Sequence, residues 1–292
     1  MIAKGRKTAY LLVAPALFCI GAVALYPIFW VVLLSLQRYM PIFDIIKFVG
    51  LRNYLALAQD ARFWNALYNT FYFTAVSVAI EFILGLAIAL VLHRSFKGRG
   101  WVRAAVLIPW AIPTVVSARM WEWIFNADFG VMNYLLRSLG LISENLNWLG
   151  HPSLAMHAAI MVDVWKTTPF AALLLLAGLQ VIPDDLYKSA RVDGAGPVKT
   201  FFHITLPLLK PAIMVTLLFR SLDAFRIFDA VYILTGGGPA STTETMSIYA
   251  YKLLFQTLQF GYGSAVAVVT FICVMGISAF YIRLLSPGRV VA

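Results

Sequence analysis

Long apolar runs separated by short charged stretches dominate the chain. The first, near 9–36, carries no charge between Thr8 and Gln37. Others lie near 66–92, 104–125, 154–181, 209–234 and 263–285. About 20 apolar residues cross a bilayer as a helix, so the pattern predicts an all-α, polytopic membrane protein with six spans. The first run is too long and uninterrupted for a cleaved signal peptide. No run leaves room for a soluble domain, so residues 1–292 are expected to form one transmembrane domain.

Composition sharpens this reading. Of 292 residues, 61% are hydrophobic and 12% charged, against roughly 45–50% and about 25% in a soluble domain. A water-soluble enzyme is excluded, and so is a disordered chain, which needs the opposite balance. The net charge of +10 would point to nucleic acid in a soluble protein. Here its placement matters more. The N-terminus and segments 93–103, 182–210 and 283–292 hold 13 Lys/Arg, whereas 37–65, 126–152 and 234–262 hold 6. Cytoplasmic loops collect Lys and Arg, which predicts cytoplasmic termini, contact with lipid and no nucleic-acid partner. The outer loops carry Trp64, Tyr68, Trp148, Tyr249 and Tyr251, suited to the membrane interface. Cys19 and Cys273 lie in apolar runs and read as buried thiols. They cannot build a disulfide framework or a zinc site.

The longest cytoplasmic loop, 182–208, contains a helix signal. Asp184 is a candidate N-cap, Asp185 occupies the first turn, and Lys188 and Arg191 follow where cations suit the dipole. Gly194 can close the helix at C′. A helix of about ten residues is marginal alone in water, so it must pack on something. Ala190 and Gly194 leave one face small. The segment is either a solvated connector or a peg for a partner protein.

This loop resembles a known family. Lys188-Ser189-Ala190, Gly194 and Ile204-Thr205-Leu206-Pro207 follow the spacing EAA-x3-G-x9-I-x-LP found in permease subunits of binding-protein-dependent ABC importers. Two residues depart from it: Lys188 replaces Glu and Ser189 replaces Ala, so the family carboxylate's contacts do not carry over. The segments VAPALFCIGAVALYPIFWVVLLSLQRY, VWKTTPFAALLLLAGLQVIPDDLY and LFRSLDAFRIFDAVYILTGGGP are similar to the sugar-importing branch, in the MalF-like class of trehalose/maltose-type permeases. The resemblance implies a type I importer permease fold in the cell inner membrane. It implies ATPase coupling through Asp185, Lys188, Ser189, Ala190, Arg191, Asp193 and Gly194. The implied partners are a second permease subunit, an ATP-binding cassette ATPase dimer and an extracytoplasmic sugar-binding protein. The chain itself would be non-catalytic, with no cofactor of its own; ATP and Mg would sit on the ATPase. The implied cargo is a disaccharide such as trehalose or maltose.

The residues agree that no nucleotide binds here. Gly194–Thr200 lacks the Gly before Lys that a P-loop needs, Pro197 removes a backbone donor, and no strand precedes it. Gly236-Gly237-Gly238-Pro239 reads as an outer turn.

Ionisable residues at bilayer depth are costly and face a helix-packed interior or a cavity. The fifth run has Arg220, Asp223, Arg226 and Asp229, alternating in sign at spacing three. They form either a self-neutralised ladder or a polar wall of the translocation path. A sugar needs charged or amide hydrogen-bond partners and aromatic rings. Asp223, Arg226 and Asp229 with Phe225, Phe228 and Tyr232 offer both, and the resemblance places the matching stretch at the sugar site. Arg220 lies nearer the cytoplasm and reads as structural. In the last run, Gly261, Gly263 and Ser264 permit close packing. Ser264 and Thr270 present hydroxyls to a ligand or bond back to the i−4 carbonyl.

Asp163 and Lys166 can pair, and Pro169 predicts a kink that Thr167 and Thr168 help repair. Glu81 has no opposite charge within a turn and requires a partner from another helix, Arg119 being one candidate. His157 reads as structural. Two further importer or carrier readings stand beside the sugar importer: a glycerol-phosphate-type ABC permease, and an ion-coupled secondary carrier. An intramembrane enzyme has little support, because His157 and Asp163 are too sparse for a metal site and no G-x-S-x-G occurs.

Overall fold

The computed structural model describes residues 12–285. In chain order these form α1 (Leu12–Ser35), a hairpin of β1 (Gln37–Met40) and β2 (Ile45–Phe48), α2 (Arg52–Gln59) and α3 (Ala61–His93). Then come α4 (Arg99–Ala111), α5 (Thr114–Ile124), α6 (Val131–Ser138), α7 (Pro152–Val181) and α8 (Asp184–Val192). The last four are α9 (Pro197–Phe225), α10 (Asp229–Thr235), α11 (Met246–Tyr251) and α12 (Phe260–Leu285). Five of them, α1, α3, α7, α9 and α12, are long and apolar enough to cross a membrane.

The run expected to cross over 104–125 is not one helix but the pair α4 and α5, bent by 89°, which counts as a sixth apolar span only when the two are taken together. Ile112 is extended (ψ 133°) ahead of Pro113. Proline's ring disfavours the helical conformation in the residue before it and removes a donor. Pro109 sits inside α4 without ending it. Likewise α7 runs unbroken through Pro169.

The fifth span is shifted from 209–234. Helix starts at Pro197, inside the segment read as a loop to 208, and continues through a π-turn at Phe201–Thr205 to Phe225. Proline is favoured at a first helical position, where its missing N–H has no partner to lose. The run then breaks at Arg226 (φ −100°, ψ 15°) and resumes at Asp229 after Phe228 (φ −134°).

Contacts divide the chain into two units. One comprises the segment to Trp64 with Tyr249–Ile272. Its hairpin pairs Gln37 with Phe48, Arg38 with Lys47, Tyr39 with Ile46 and Met40 with Ile45. Asn53 donates to the carbonyls of Ser35 (2.7 Å) and Gln37 (2.9 Å), fastening α2 to the end of α1. Gly261 lies so close to the Gln37 carbonyl that a Cβ there would collide with it. Asp60, just ahead of α3, accepts hydrogen bonds from Tyr249, from Tyr262 (2.8 Å) and from the Arg62 amide (2.9 Å). Burial acts to raise its carboxyl, but these donors outweigh it and hold Asp60 below the usual carboxylate value. Tyr249 is pushed far up by burial and by that carboxylate.

The other unit comprises Asn65–Ile248 with the segment from Cys273. Among the described residues two clusters stand out in its core. One gathers Phe73, Phe125, Ile160, Val162, Ala224 and Val231. The second joins Ala89 and Leu92 of α3, Leu175 and Leu179 of α7, and Leu209 and Ile213 of α9. At Gly178 a Cβ would strike Ala212, so α7 and α9 meet almost backbone to backbone.

Expectations for four residues change. Cys19 is exposed and Cys273 only half-buried, because the apolar faces of α1 and α12 are largely uncovered by this chain. Trp148 donates to Asn133 Oδ1 at 2.9 Å and Tyr249 is buried on Asp60, so both polar tips are spent inside the protein. Trp64 and Tyr68 remain exposed.

Candidate functional site

Arg220 of α9 is buried, 3% exposed, and faces Glu81 of α3, which is fully buried. Its guanidinium grips that carboxylate with two bonds, Nε to Oε2 at 2.5 Å and Nη2 to Oε1 at 3.0 Å. The remaining donors reach Asp223 (2.6 Å) and Asp163 of α7 (3.4 Å). Thr167 Oγ1 donates to Glu81 at 2.8 Å. Glu81 therefore does have a partner from another helix, but it is Arg220. Arg119 pairs with Glu122 of its own helix at 2.6 Å. Asp163 does not pair with Lys166. Lys166 donates instead to the Ile112 carbonyl (2.5 Å), which the break between α4 and α5 leaves without a helical donor.

Of the two readings of the fifth run, the ladder stops after one rung. Arg220–Asp223 forms, and then the helix ends, so Arg226 and Asp229 no longer share a face with it. Arg226 Nε donates to the Leu222 carbonyl at 3.0 Å. Among the described residues neither Arg226 nor Asp229 makes an ion pair. Both line an open groove of about 490 Å³ together with Trp110, Lys166, Asp223 and Phe228. Ligand pockets run from about 300 to 1,000 Å³. Trp110 stacks on Phe170 (5.7 Å, 17°) and Phe228 on Tyr232 (5.0 Å, 14°), so each groove ring is backed by a second aromatic.

Four of the eight residues read as substrate path thus meet at one groove: Asp223, Arg226, Phe228 and Asp229. Tyr232 supports Phe228 from behind. Phe225 is fully buried against the edge of Phe71 (5.1 Å) and belongs to the core. Ser264 and Thr270 fall in the other unit. Ser264 is buried, and Thr270 gives its proton to the Val266 carbonyl at 2.9 Å. Trp110 and Lys166 escaped the sequence reading as wall residues, since the bend at 112–113 brings Trp110 to the groove and frees the Ile112 carbonyl that Lys166 reaches. His157 bridges Tyr72 (2.8 Å) and the Ser153 carbonyl (2.6 Å), a structural role.

The helix over 184–192 forms as expected, with one change. Pro183 is the N-cap and Asp184 the first helical residue, without a side-chain cap. Gly194 closes it at φ +73°, with Ala195 N–H on the Ala190 carbonyl (2.8 Å) and Gly194 N–H on that of Arg191 (3.2 Å). These two bonds define a Schellman stop. Tyr187 Oη meets Thr205 Oγ1 at 3.2 Å, and Ala190 is buried. The small face is therefore used within the chain. What it presents outward is Asp185, Lys188, Ser189, Arg191, Asp193 and, unforeseen, Val192, which is 88% exposed. Lys188 bonds Asp185 at 2.8 Å.

Residues 81–290 match the family described as binding-protein-dependent transport system inner membrane component. The chain belongs to this family. Relatives extend over nearly the whole permease. The trehalose/maltose transport system permease protein MalF of Thermococcus litoralis is 45% identical over 96% of this chain and 94% of its own. The trehalose transport system permease protein SugA of Mycobacterium tuberculosis is 45% identical over 97% and 91%. The sulfoquinovosyl glycerol transport system permease protein SmoG of Agrobacterium fabrum is 40% identical over 96% and 91%. A bacterial ABC transporter importing alginate has a chain of the same fold, with TM-score 0.83 at 24% identity, covering 100% of this permease and 99% of that chain.

This permease is thus an inner membrane subunit of an ABC sugar importer with the type I permease fold, and it is not itself an enzyme. The ion-coupled carrier is set aside by that membership.

Proposed function

We propose that this permease carries a neutral disaccharide, trehalose or maltose, along the groove beside Asp223, Arg226, Phe228 and Asp229. The observation that carries the reading is the pairing of charged donors and acceptors with two backed aromatic rings in one groove. Sugars offer hydroxyls to the first and C–H faces to the second. The 45% identity to trehalose and maltose permeases supports it.

In this reading the chain works as one transmembrane permease domain with both termini cytoplasmic. A second permease subunit completes the path, and an extracytoplasmic sugar-binding protein delivers the cargo. The face of α8 around Asp185, Lys188, Ser189, Arg191, Asp193 and Val192 seats in an ATPase dimer that binds ATP and Mg. Buried Ala190 and the Gly194 stop hold that face in place, so ATP-driven closure of the ATPases moves α9 through the short connection at 193–196. Lys188 in place of the family Glu calls for an acid in the ATPase groove.

The test is competitive uptake by the reconstituted transporter. Trehalose or maltose should displace labelled cargo and glycerol phosphate should not. Asp229→Asn and Arg226→Gln should each lower transport efficiency about fivefold or more, the size of one hydrogen bond of roughly 1 kcal/mol. Unchanged efficiency in both variants, or displacement by glycerol phosphate alone, rejects the assignment.

A further inference from the structure

A second groove, of about 420 Å³, lies in the unit that contains the hairpin, between β1, β2 and α2. Arg38, Lys47 and Arg52 line it, with Tyr39, Asn53 and Tyr262 beside them. Among the described residues no carboxylate lines it. Arg38 and Lys47 stand directly opposite each other across the antiparallel pair, an arrangement that like charges disfavour. Among the described residues none of these three cations has an ion-pair partner. The neighbouring acid, Asp60, is occupied by Tyr249 and Tyr262.

Its position is set by the spans. α1 ends at Ser35, two residues before β1, α3 begins at Ala61, two residues after α2 ends, and α12 begins at Phe260. The groove therefore lies at the level where hydrocarbon gives way to headgroups. Beside its lining residues Phe43, Leu51 and Leu55 are exposed, whereas Ile46 and Phe48 alternate with Lys47 and stand on the other face of the hairpin. Apolar side chains beside Lys and Arg at that depth are what an interfacial lipid-binding element presents. A water-facing surface would leave them wet, and a docking surface for an acidic protein would use the cations without needing this apolar rim.

The geometry points to a binding site for the phosphate of an anionic phospholipid, held by Arg38, Lys47 and Arg52 while the exposed apolar side chains meet its acyl chains. The lipid supplies the countercharge that the groove lining lacks, Asp44 of the hairpin turn lying outside that lining, and anchors the end of α1.

The site is tested on the full chain, purified in mild detergent with the subunits that accompany it, by native mass spectrometry during titration with phosphatidylglycerol or phosphatidylcholine. Phosphatidylglycerol should bind at least tenfold more tightly. Each cation near an anionic surface is worth roughly a fivefold change, so Arg38→Gln/Lys47→Gln/Arg52→Gln should weaken the lipid about a hundredfold. The charge-keeping set Arg38→Lys/Lys47→Arg/Arg52→Lys should retain it. If the triple variant does not fold, the single variants should each show the fivefold loss. The proposal is overturned by equal binding of both lipids or by undiminished binding to the neutralised variants. It also falls if inorganic phosphate at lipid concentration displaces phosphatidylglycerol, which identifies a free-anion site. Loss of the sugar-binding protein with lipid binding intact would mark a protein-docking surface instead, and likewise reject it.

Discussion

Replacing Arg220 by Met removes four hydrogen bonds at once and strands Glu81, which has no access to water. An average interhelical hydrogen bond between membrane helices is worth only about 0.6 kcal/mol. An unpaired buried charge is a different case: breaking such a pair costs about 3–5 kcal/mol. Asp223 can turn to water, being 65% exposed, but Asp163 loses its one ion-pair partner as well. Arg220→Met and Glu81→Met are therefore each expected to lower unfolding free energy by about 3–5 kcal/mol. The double variant should cost much less than their sum, with the remainder traceable to Asp163. Equilibrium unfolding in mixed micelles, followed by helical circular dichroism, gives the three values. The reasoning is refuted if Arg220→Met stays within about 1 kcal/mol of the parent. Additivity of the two changes to within about 0.5 kcal/mol, the behaviour of independent sites, would refute it too.

Other outcomes follow from single positions. Gly261→Ala forces a methyl into the Gln37 carbonyl and should cost about 1–3 kcal/mol in the same unfolding assay, whereas Gly276→Ala, with nothing near, should cost nothing. Gly194→Ala places a side chain at φ +73°, a strain of roughly 1–2 kcal/mol; it should reduce ATPase stimulation in the assembled transporter more than it reduces expression. Asp60 has a folded-state carboxyl below its usual value, so its contribution to stability is complete above the unfolded value of about 3.9 and is lost as pH falls through the lower folded one. Thermal midpoints from about pH 5 downward, through and below the unfolded value, should fall more steeply for the parent than for Asp60→Asn.

The sequence shows the spans because hydrocarbon imposes a length and a composition that no side-chain detail can hide. It shows the α8 helix and its stop because Gly194 and the flanking charges act within one turn. It could not place the bend in the third run: Pro109 and Pro113 look alike in the sequence, and only Pro113 follows a residue that the fold leaves extended. It predicts a partner for Glu81 from another helix but could not choose it, since Arg220 is 139 residues away and nothing in the sequence ranks it above Arg119. The charge ladder read from spacing three assumed a continuous helix, and the break at 226–228 separates Arg226 and Asp229 from the Arg220 pair. That same break turns those two side chains into the groove. The hairpin and α2 were missed because 37–65 has no long periodicity; its order comes from Asn53 and Gly261 fitting the end of α1.

Sugar uptake by the reconstituted transporter is the most direct measurement. The chain and the subunits that accompany it are placed in proteoliposomes with the sugar-binding protein, and labelled trehalose is followed with ATP present or absent on the ATPase side. ATP-dependent accumulation, displaced by maltose and diminished in Asp229→Asn, is the expected result. Accumulation that needs no ATP, or an intact ATP-hydrolysing complex that moves neither trehalose nor maltose, would contradict the account.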